Sequence, residues 1–190
     1  TIHGYKKAFT AFWLLALFAS WSGVTLWING PIPAWLLTVS IIAKALTILP
    51  IFMIATNLLG TAKGSSSSNQ NSALRFTVFG VICFVIAGFL GVILSFRSID
   101  QLVHFTYFPL GHSQLGFYGF LMMTFFGAMY FILPRLTKKD WSSPGLAGAH
   151  FWITAFSIVL MVGSLMIGGL IQGSALNNEK ISLVQISQLM

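Results

Sequence analysis

Five long apolar stretches, separated by short polar connections, constrain this chain more than any other feature. They lie at about residues 8–29, 34–59, 76–96, 110–134 and 147–173. Each is long enough for an α-helix to cross a hydrocarbon core of roughly 30 Å, which takes about 20 residues. None alternates polar and apolar residues as the strands of a membrane barrel do. We therefore expect an all-α, polytopic transmembrane helix bundle of about five spans, forming a single domain over residues 1–190.

Composition and the placement of charge support this class. Only 7% of the residues are charged, against roughly 25% in soluble domains, and 56% are hydrophobic. The net charge of +7 resides in short connections, so it indicates membrane orientation and predicts no nucleic-acid partner. Two basic residues, Arg97 and Lys180, lie on one side. Seven lie on the other: Lys6, Lys7, Lys63, Arg75, Arg135, Lys138 and Lys139. The rule that cytoplasmic loops are basic predicts a cytoplasmic amino terminus. We expect the membrane to be the inner membrane of a bacterium.

Two segments outside the spans are polar. Residues 60–75 contain the run SSSSNQNS and are predicted to form a flexible cytoplasmic loop. The tail, 174–190, has a weak apolar pattern and is interpreted as an interfacial segment or a contact with a partner. No domain boundary or internal repeat is apparent.

Histidines near the predicted outer face are the candidate ligands. His112 lies near the start of the fourth span, where a buried polar side chain is costly and often marks a site. It is either an interfacial histidine or a metal or heme ligand. His104, eight residues earlier, is either a solvated residue or a second contact for the same site. His150 begins the fifth span on the inner side, on the order of 25 Å away at 1.5 Å per helical residue, and is expected to pack or to lie at the interface.

Lys44 is placed near the middle of the second span, where a lysine costs a few kcal/mol unless it finds a partner or faces the bundle interior. No Asp or Glu occurs inside any predicted span. The choice lies between snorkelling towards an interface and a polar contact with a partner subunit, and the second is favoured. Several glycines are expected to let helices pack closely: Gly80, Gly88, Gly91, Gly163, Gly168 and Gly169.

The run HFTYFPLGHSQLGFYGFLMMTFFGAMYFILPRL, followed by GAHFW and GLIQG, resembles the carboxy-terminal half of the main subunit of heme–copper oxidases. The similar branches are the C-type cytochrome c oxidases and the nitric oxide reductases. The upstream stretches WSGVTLWINGPIPAW, LTILPIF and TNLLGT fit the same pattern in order. The resemblance covers about residues 5–173 and implies a membrane subunit of a respiratory complex.

Departures from the family pattern fall on the ligand positions. In the family, a His-x-His pair holds the high-spin and low-spin hemes, and here it is His112 with Gln114, whose amide is a poor iron ligand. The two copper-binding histidines fall on Thr25 and Leu26. The active-site tyrosine of the C-type oxidases falls on Ala19, and the glutamate of the nitric oxide reductases falls on Thr47. The family's amino-terminal half and its last helix have no counterpart in the printed sequence.

Two functions from different classes follow. The first is a catalytically inactive, oxidase-like subunit that serves as a structural membrane component of a larger respiratory or electron-transfer complex, with other membrane subunits and lipids as partners. The second is an electron-transfer subunit that binds one heme b through His112, with His104 as a possible second contact. Copper is not expected in either case, and the chain is not expected to be an enzyme by itself. A transporter is a distant third, because no span is interrupted by paired Gly and Pro.

Overall fold

The structure, a computed structural model, describes residues 3–27, 30–63 and 72–178, with only the backbone at positions 26 and 27. These ranges contain helices and no strand. The elements are α1 (Tyr5–Ser22), a 3-10 helix (Gly23–Trp27), α2 (Ala34–Leu46), α3 (Ile48–Lys63), α4 (Ser72–Ile93), α5 (Arg97–Val103), α6 (Tyr107–Gln114), a π-helix (Leu115–Met122), α7 (Met123–Thr137) and α8 (Pro144–Leu176).

The described residues provide five helical segments long and apolar enough to cross a membrane, as the sequence predicts. They run over Tyr5–Thr25, Ala34–Lys63, Ser72–Ile93, Tyr107–Thr137 and Pro144–Leu176. The fifth has 33 residues and is about 50 Å long at 1.5 Å per residue, so it extends well beyond a hydrocarbon core of about 30 Å. The all-α transmembrane bundle is confirmed, and the cytoplasmic amino terminus stays a prediction.

The second span is broken where proline removes a backbone donor. Pro50 has no N–H and leaves the carbonyl of Leu46 without its helical partner, which ends α2 and starts α3. Thr47 stabilises the break, because its backbone N–H donates to the carbonyl of Lys44 at 3.2 Å and its hydroxyl donates to the same oxygen at 2.6 Å. Lys44 therefore lies in the last turn before the break.

The fourth span changes helical type directly after His112. Helix α6 passes into the π-helical segment Leu115–Met122 before α-helix resumes. A π-helical insertion widens the turn and changes the direction in which later side chains point, and such segments are often found at functional sites. The sequence predicts a span here but gives no sign of this change.

A cluster of aromatic rings packs towards the predicted inner end, around Phe76 on α4. Phe76 and Met123 are fully buried. The Phe76 ring stacks on Tyr130 at 5.3 Å and meets the His150 ring at 5.2 Å. The hydroxyl of Tyr130 and Nδ1 of His150 are 3.0 Å apart, so they share a hydrogen bond. His150 is thus a packing residue, as expected.

Close helix packing explains four of the six glycines named above. A Cβ on Gly80, Gly88, Gly91 or Gly169 would lie within 3.3 Å of a neighbouring helix. Within the described residues the expectation is wrong for Gly163 and Gly168, because a Cβ on either meets no described atom within 4 Å. Both face outward on α8, where the sequence pattern alone does not separate them from Gly169.

The predicted loop and tail are shorter than expected in the described residues. Helix α3 continues to Lys63 and α4 starts at Ser72, so both ends of the expected 60–75 loop are helical. Ala73 and Phe76 are buried, which explains why α4 begins this early. Helix α8 continues to Leu176, two residues into the expected tail. Residues 64–71 and 179–190, where the remaining loop and most of the tail fall, lie outside the described residues.

Candidate functional site

His112 lies on α6 and points towards α4. Its Nε2 atom is 2.9 Å from the carbonyl oxygen of Ala87. A carbonyl oxygen can only accept, so Nε2 must carry the hydrogen, which leaves Nδ1 as the acceptor of a neutral ring. The imidazole is half-buried. A metal could bind through Nε2 only if this hydrogen bond were given up.

Gly91 on α4 makes room for both His112 and Lys44. A Cβ built on Gly91 would lie 3.3 Å from Nε2 of His112 and 3.5 Å from Cε of Lys44. The two side chains therefore approach the same point on α4 from different helices. This contact joins α2, α4 and α6, which are far apart in sequence.

A cavity of about 160 Å³, lined by several polar residues, lies at the predicted outer end of the bundle. Its lining includes both candidate histidines, His104 and His112, together with Lys44 and Asp100. Thr25, Ser95 and Ser113 add hydroxyl groups. The sequence leaves open whether His104 reaches the His112 site, and the structure places both on the wall of one cavity.

His104 belongs to a short helix, α5, where the sequence suggests only a connection. It ends this helix, and its Nδ1 lies 3.0 Å from Oδ1 of Asp100, one turn earlier. Asp100 is 8% exposed. Its other oxygen, Oδ2, is buried and has no hydrogen-bond partner among the described residues. Asp100 is the residue that the sequence reasoning missed, although its spacing of four from His104 is a usable signal for a helical pair.

A second cavity, of about 240 Å³, lies deeper and is mostly apolar. It shares Lys44, Gly91 and His112 with the first. Apolar side chains of four helices or helical segments line the rest, among them Leu15, Ile51, Phe84 and Phe120. Ala19 and Thr47 are also on its wall.

Four of the six positions that the resemblance matches to ligands and catalytic groups line these two cavities. Thr25 lines the outer cavity, Ala19 and Thr47 line the inner one, and His112 lines both. Gln114 lines neither, since residues two apart do not share a helix face. The side chain of Leu26 lies outside the described residues.

The donor atoms around His112 do not fit a copper ion held by imidazoles. The hydroxyl of Thr25 donates to the carbonyl of Ser22 at 2.8 Å, and the hydroxyl of Thr47 donates to the backbone carbonyl of Lys44 at 2.6 Å. Among the described residues, no three His, Cys, Asp or Glu side chains are grouped closely enough to hold a metal ion. Two imidazoles, those of His104 and His112, line the outer cavity, and of these only His112 also lines the inner one.

Lys44 is half-buried and lies within the same site. No carboxylate in the described part of the chain is within 4 Å of its ammonium group. Its side chain lines both cavities and therefore faces the bundle interior. A contact between Lys44 and a partner subunit stays a prediction, because it concerns a chain outside this structure.

Comparison with known proteins locates this arrangement in a family. The family model described as cytochrome C and quinol oxidase polypeptide I matches residues 1–189. Among curated proteins, the chain is 24% identical to the Cbb3-type cytochrome c oxidase subunit CcoN1 of Stutzerimonas stutzeri, over 90% of this chain and 37% of the relative. It is 26% identical to cytochrome c oxidase subunit 1 of Rhodobacter capsulatus, over 90% of this chain and 33% of the relative.

One further match has a higher identity over a shorter stretch. Cytochrome c oxidase polypeptide 1 of Halobacterium salinarum is 35% identical over 88 residues, which is 43% of this chain and 15% of the relative. The chain thus spans about a third of the length of the relatives that it matches almost throughout.

Proposed function

This chain belongs to the family of cytochrome c and quinol oxidase polypeptide I, and on that premise we propose that it is a non-catalytic, oxidase-like subunit. Its role is structural: a membrane component of a larger respiratory or electron-transfer complex, in the inner membrane of a bacterium. At most of the positions where heme–copper oxidases have metal-binding or catalytic residues, this chain has a different residue.

The observation that carries the proposal is the set of donor atoms around His112. The two flanking cavities offer one imidazole at their junction, and its Nε2 is already used by the carbonyl of Ala87. The side chain of Lys44 lines the same two cavities. An ammonium group repels a nearby metal cation, and more strongly in a low-dielectric interior than in water. The site is therefore poorly suited to a second metal beside His112.

The outer surface suits burial in lipid or against other membrane subunits. Large aromatic side chains on α1 and α8 are more than half exposed, among them Phe12, Trp13, Trp152 and Phe156. Exposed apolar surface of this extent is stable only in hydrocarbon or in an interface. The relatives are named as oxidase subunits, which supports membrane subunits as the partners.

A second candidate function is electron transfer through one heme b. His112 favours it, because this half-buried imidazole lies between a polar cavity and one lined by Phe84 and Phe120. His112 would hold the iron after releasing Ala87, and His104 would contact the cofactor from the outer cavity. A bound heme b would supply one-electron redox chemistry.

Heme absorbance of the purified complex separates the two functions. We expect the reduced pyridine hemochrome spectrum to be the same for the unmodified protein and for His112→Ala, because any heme present belongs to other subunits. His150→Ala is the control, since this histidine packs on Phe76 and lies in neither cavity. A loss of one heme b per chain in His112→Ala alone would establish the heme-binding function and exclude the purely structural one.

Co-purification tests the structural role directly. A tagged copy expressed in its own organism should retain other integral membrane proteins in a stoichiometric complex after mild detergent extraction. Deletion of the chain should reduce the abundance of those proteins in the membrane. A chain that purifies alone, and whose deletion leaves the membrane subunits unchanged, would contradict it.

A further inference from the structure

Lys44 and Asp100 have opposite charges and line the same outer cavity, and one carboxylate oxygen of Asp100, Oδ2, has no hydrogen-bond partner among the described residues. We propose that the outer cavity is a hydrated site in which ordered water joins the ammonium of Lys44 to Oδ2 of Asp100. The resulting water-mediated ion pair links α2 to α5 above His112.

Lys44 supplies the positive side. It reaches the cavity past Gly91, whose missing side chain leaves 3.5 Å between the Cβ position and Cε of Lys44. The ammonium carries three donors and no acceptor. An unpaired charge at this depth is costly, so the lining of the cavity must offer it an acceptor.

Asp100 supplies that acceptor. Its Oδ1 is taken by His104, and its Oδ2 is buried without a hydrogen-bond partner in the described residues. A buried carboxylate oxygen left unpaired costs at least as much as a lost hydrogen bond. Of the residues that line this cavity, Asp100 is the sole carboxylate and Lys44 the sole lysine or arginine.

Water is the group that fits between them. The two charged groups are more than 4 Å apart, since no ion pair forms directly. The cavity volume of about 160 Å³ has room for a few water molecules. A water molecule can accept from the ammonium and donate to Oδ2, and the hydroxyls of Thr25, Ser95 and Ser113 offer further partners.

A double-mutant cycle on the complete complex tests the pair. Lys44→Met and Asp100→Asn each leave one charge without its partner, so we expect each to lower the melting temperature by about 4 °C or more. Asn at position 100 keeps an oxygen for His104. The double variant leaves no charge unpaired and should melt closer to the unmodified protein than either single variant. Lys63→Met and Asp140→Asn, at exposed positions, are the matched controls and should act additively.

Several outcomes would refute the proposed water-mediated ion pair between Lys44 and Asp100. Additive losses in the double variant would show that the two groups are not coupled. Loss of a co-purifying subunit in Lys44→Met, without rescue by Asp100→Asn, would show that Lys44 pairs with a partner chain instead. If the single variants do not fold, an experimental structure of the unmodified protein at a resolution that shows water decides the matter. Density bridging Nζ and Oδ2 is expected, and a dry cavity would refute the proposal.

Discussion

The backbone N–H of Tyr107, at the start of the helix that bears His112, donates to Oε1 of Gln172 on α8 at 3.1 Å. The first N–H groups of a helix have no partner within the helix, so a buried side chain from another element satisfies one of them. Gln172 is 7% exposed, and α6 packs extensively on α8. This bond therefore helps to set where α6 begins and how it presents His112.

Replacement of this glutamine tests that bond. Gln172→Leu removes the acceptor of the Tyr107 N–H, so we expect stability to fall by about 0.5–1.5 kcal/mol. Thermal unfolding in detergent, followed by circular dichroism, measures the change. Gln101→Leu, at an exposed position of α5, should have little effect. Equal losses in the two variants would remove the special role of Gln172.

Two adjacent glycines on α8 should respond oppositely to a methyl group. A Cβ on Gly169 would lie 2.7 Å from Cα of Phe108, and backbone cannot move aside as a flexible side chain can. A Cβ on Gly168 meets no atom of the described residues within 4 Å. We expect Gly169→Ala to cost about 1–3 kcal/mol through overpacking, whereas Gly168→Ala leaves the melting temperature unchanged or slightly higher. A tolerated alanine at 169 would mean that α6 and α8 are not this close.

Asn57 fastens the start of α1 to α3. Its Oδ1 accepts from the N–H of Gly4 at 2.9 Å, and its Nδ2 donates to the carbonyl of Gly4 at 3.2 Å. Asn57→Leu leaves both backbone groups without these partners, so we expect a loss of about 1–3 kcal/mol. Hydrogen exchange should quicken in the first turn of α1. Asn177→Leu, at the exposed end of α8, is the control, and an unchanged exchange rate in Asn57→Leu would count against this contact.

The hydrogen bond between Tyr130 and His150 is a test of the inner core. Tyr130→Phe keeps the ring that stacks on Phe76 and removes only the hydroxyl. Hydrogen bonds between membrane helices are worth about 0.6 kcal/mol on average and up to about 1.7 kcal/mol, so a small loss of stability is expected. Tyr118→Phe, on an exposed face, should be neutral. A neutral Tyr130→Phe would show that the hydrogen bond between Tyr130 and His150 makes no net contribution to stability.

Hydropathy was sufficient for the spans because membrane insertion depends on the local composition of about 20 residues. It did not predict the π-helical segment after His112, since helical type there depends on how α6 and α7 pack against α4. It also treated all small residues alike. Gly168 and Gly169 differ only in which neighbour they face, and that neighbour, Phe108, is 61 positions away from Gly169 in the sequence.

For the candidate site too, the sequence predicted individual residues but not how they are arranged in space. The sequence identified His112 and Lys44 as polar residues whose burial would need an explanation, and His104 as either a solvated residue or a second contact at the His112 site. It left that choice open for His104 and did not place Lys44 beside the histidines, because the three residues lie on different elements and their contacts are long-range. Asp100 was missed although its spacing of four from His104 is local.

The sequence by itself determined that this chain crosses a membrane with five helices and that it resembles the carboxy-terminal half of an oxidase main subunit. Both depend on local residue patterns. Only the tertiary structure decided that Lys44 lines the cavity of His112, and that Asp100, with one buried and unpaired carboxylate oxygen, lines the same cavity. The energy of a buried charge depends on which groups surround it in space, and sequence order does not fix those neighbours.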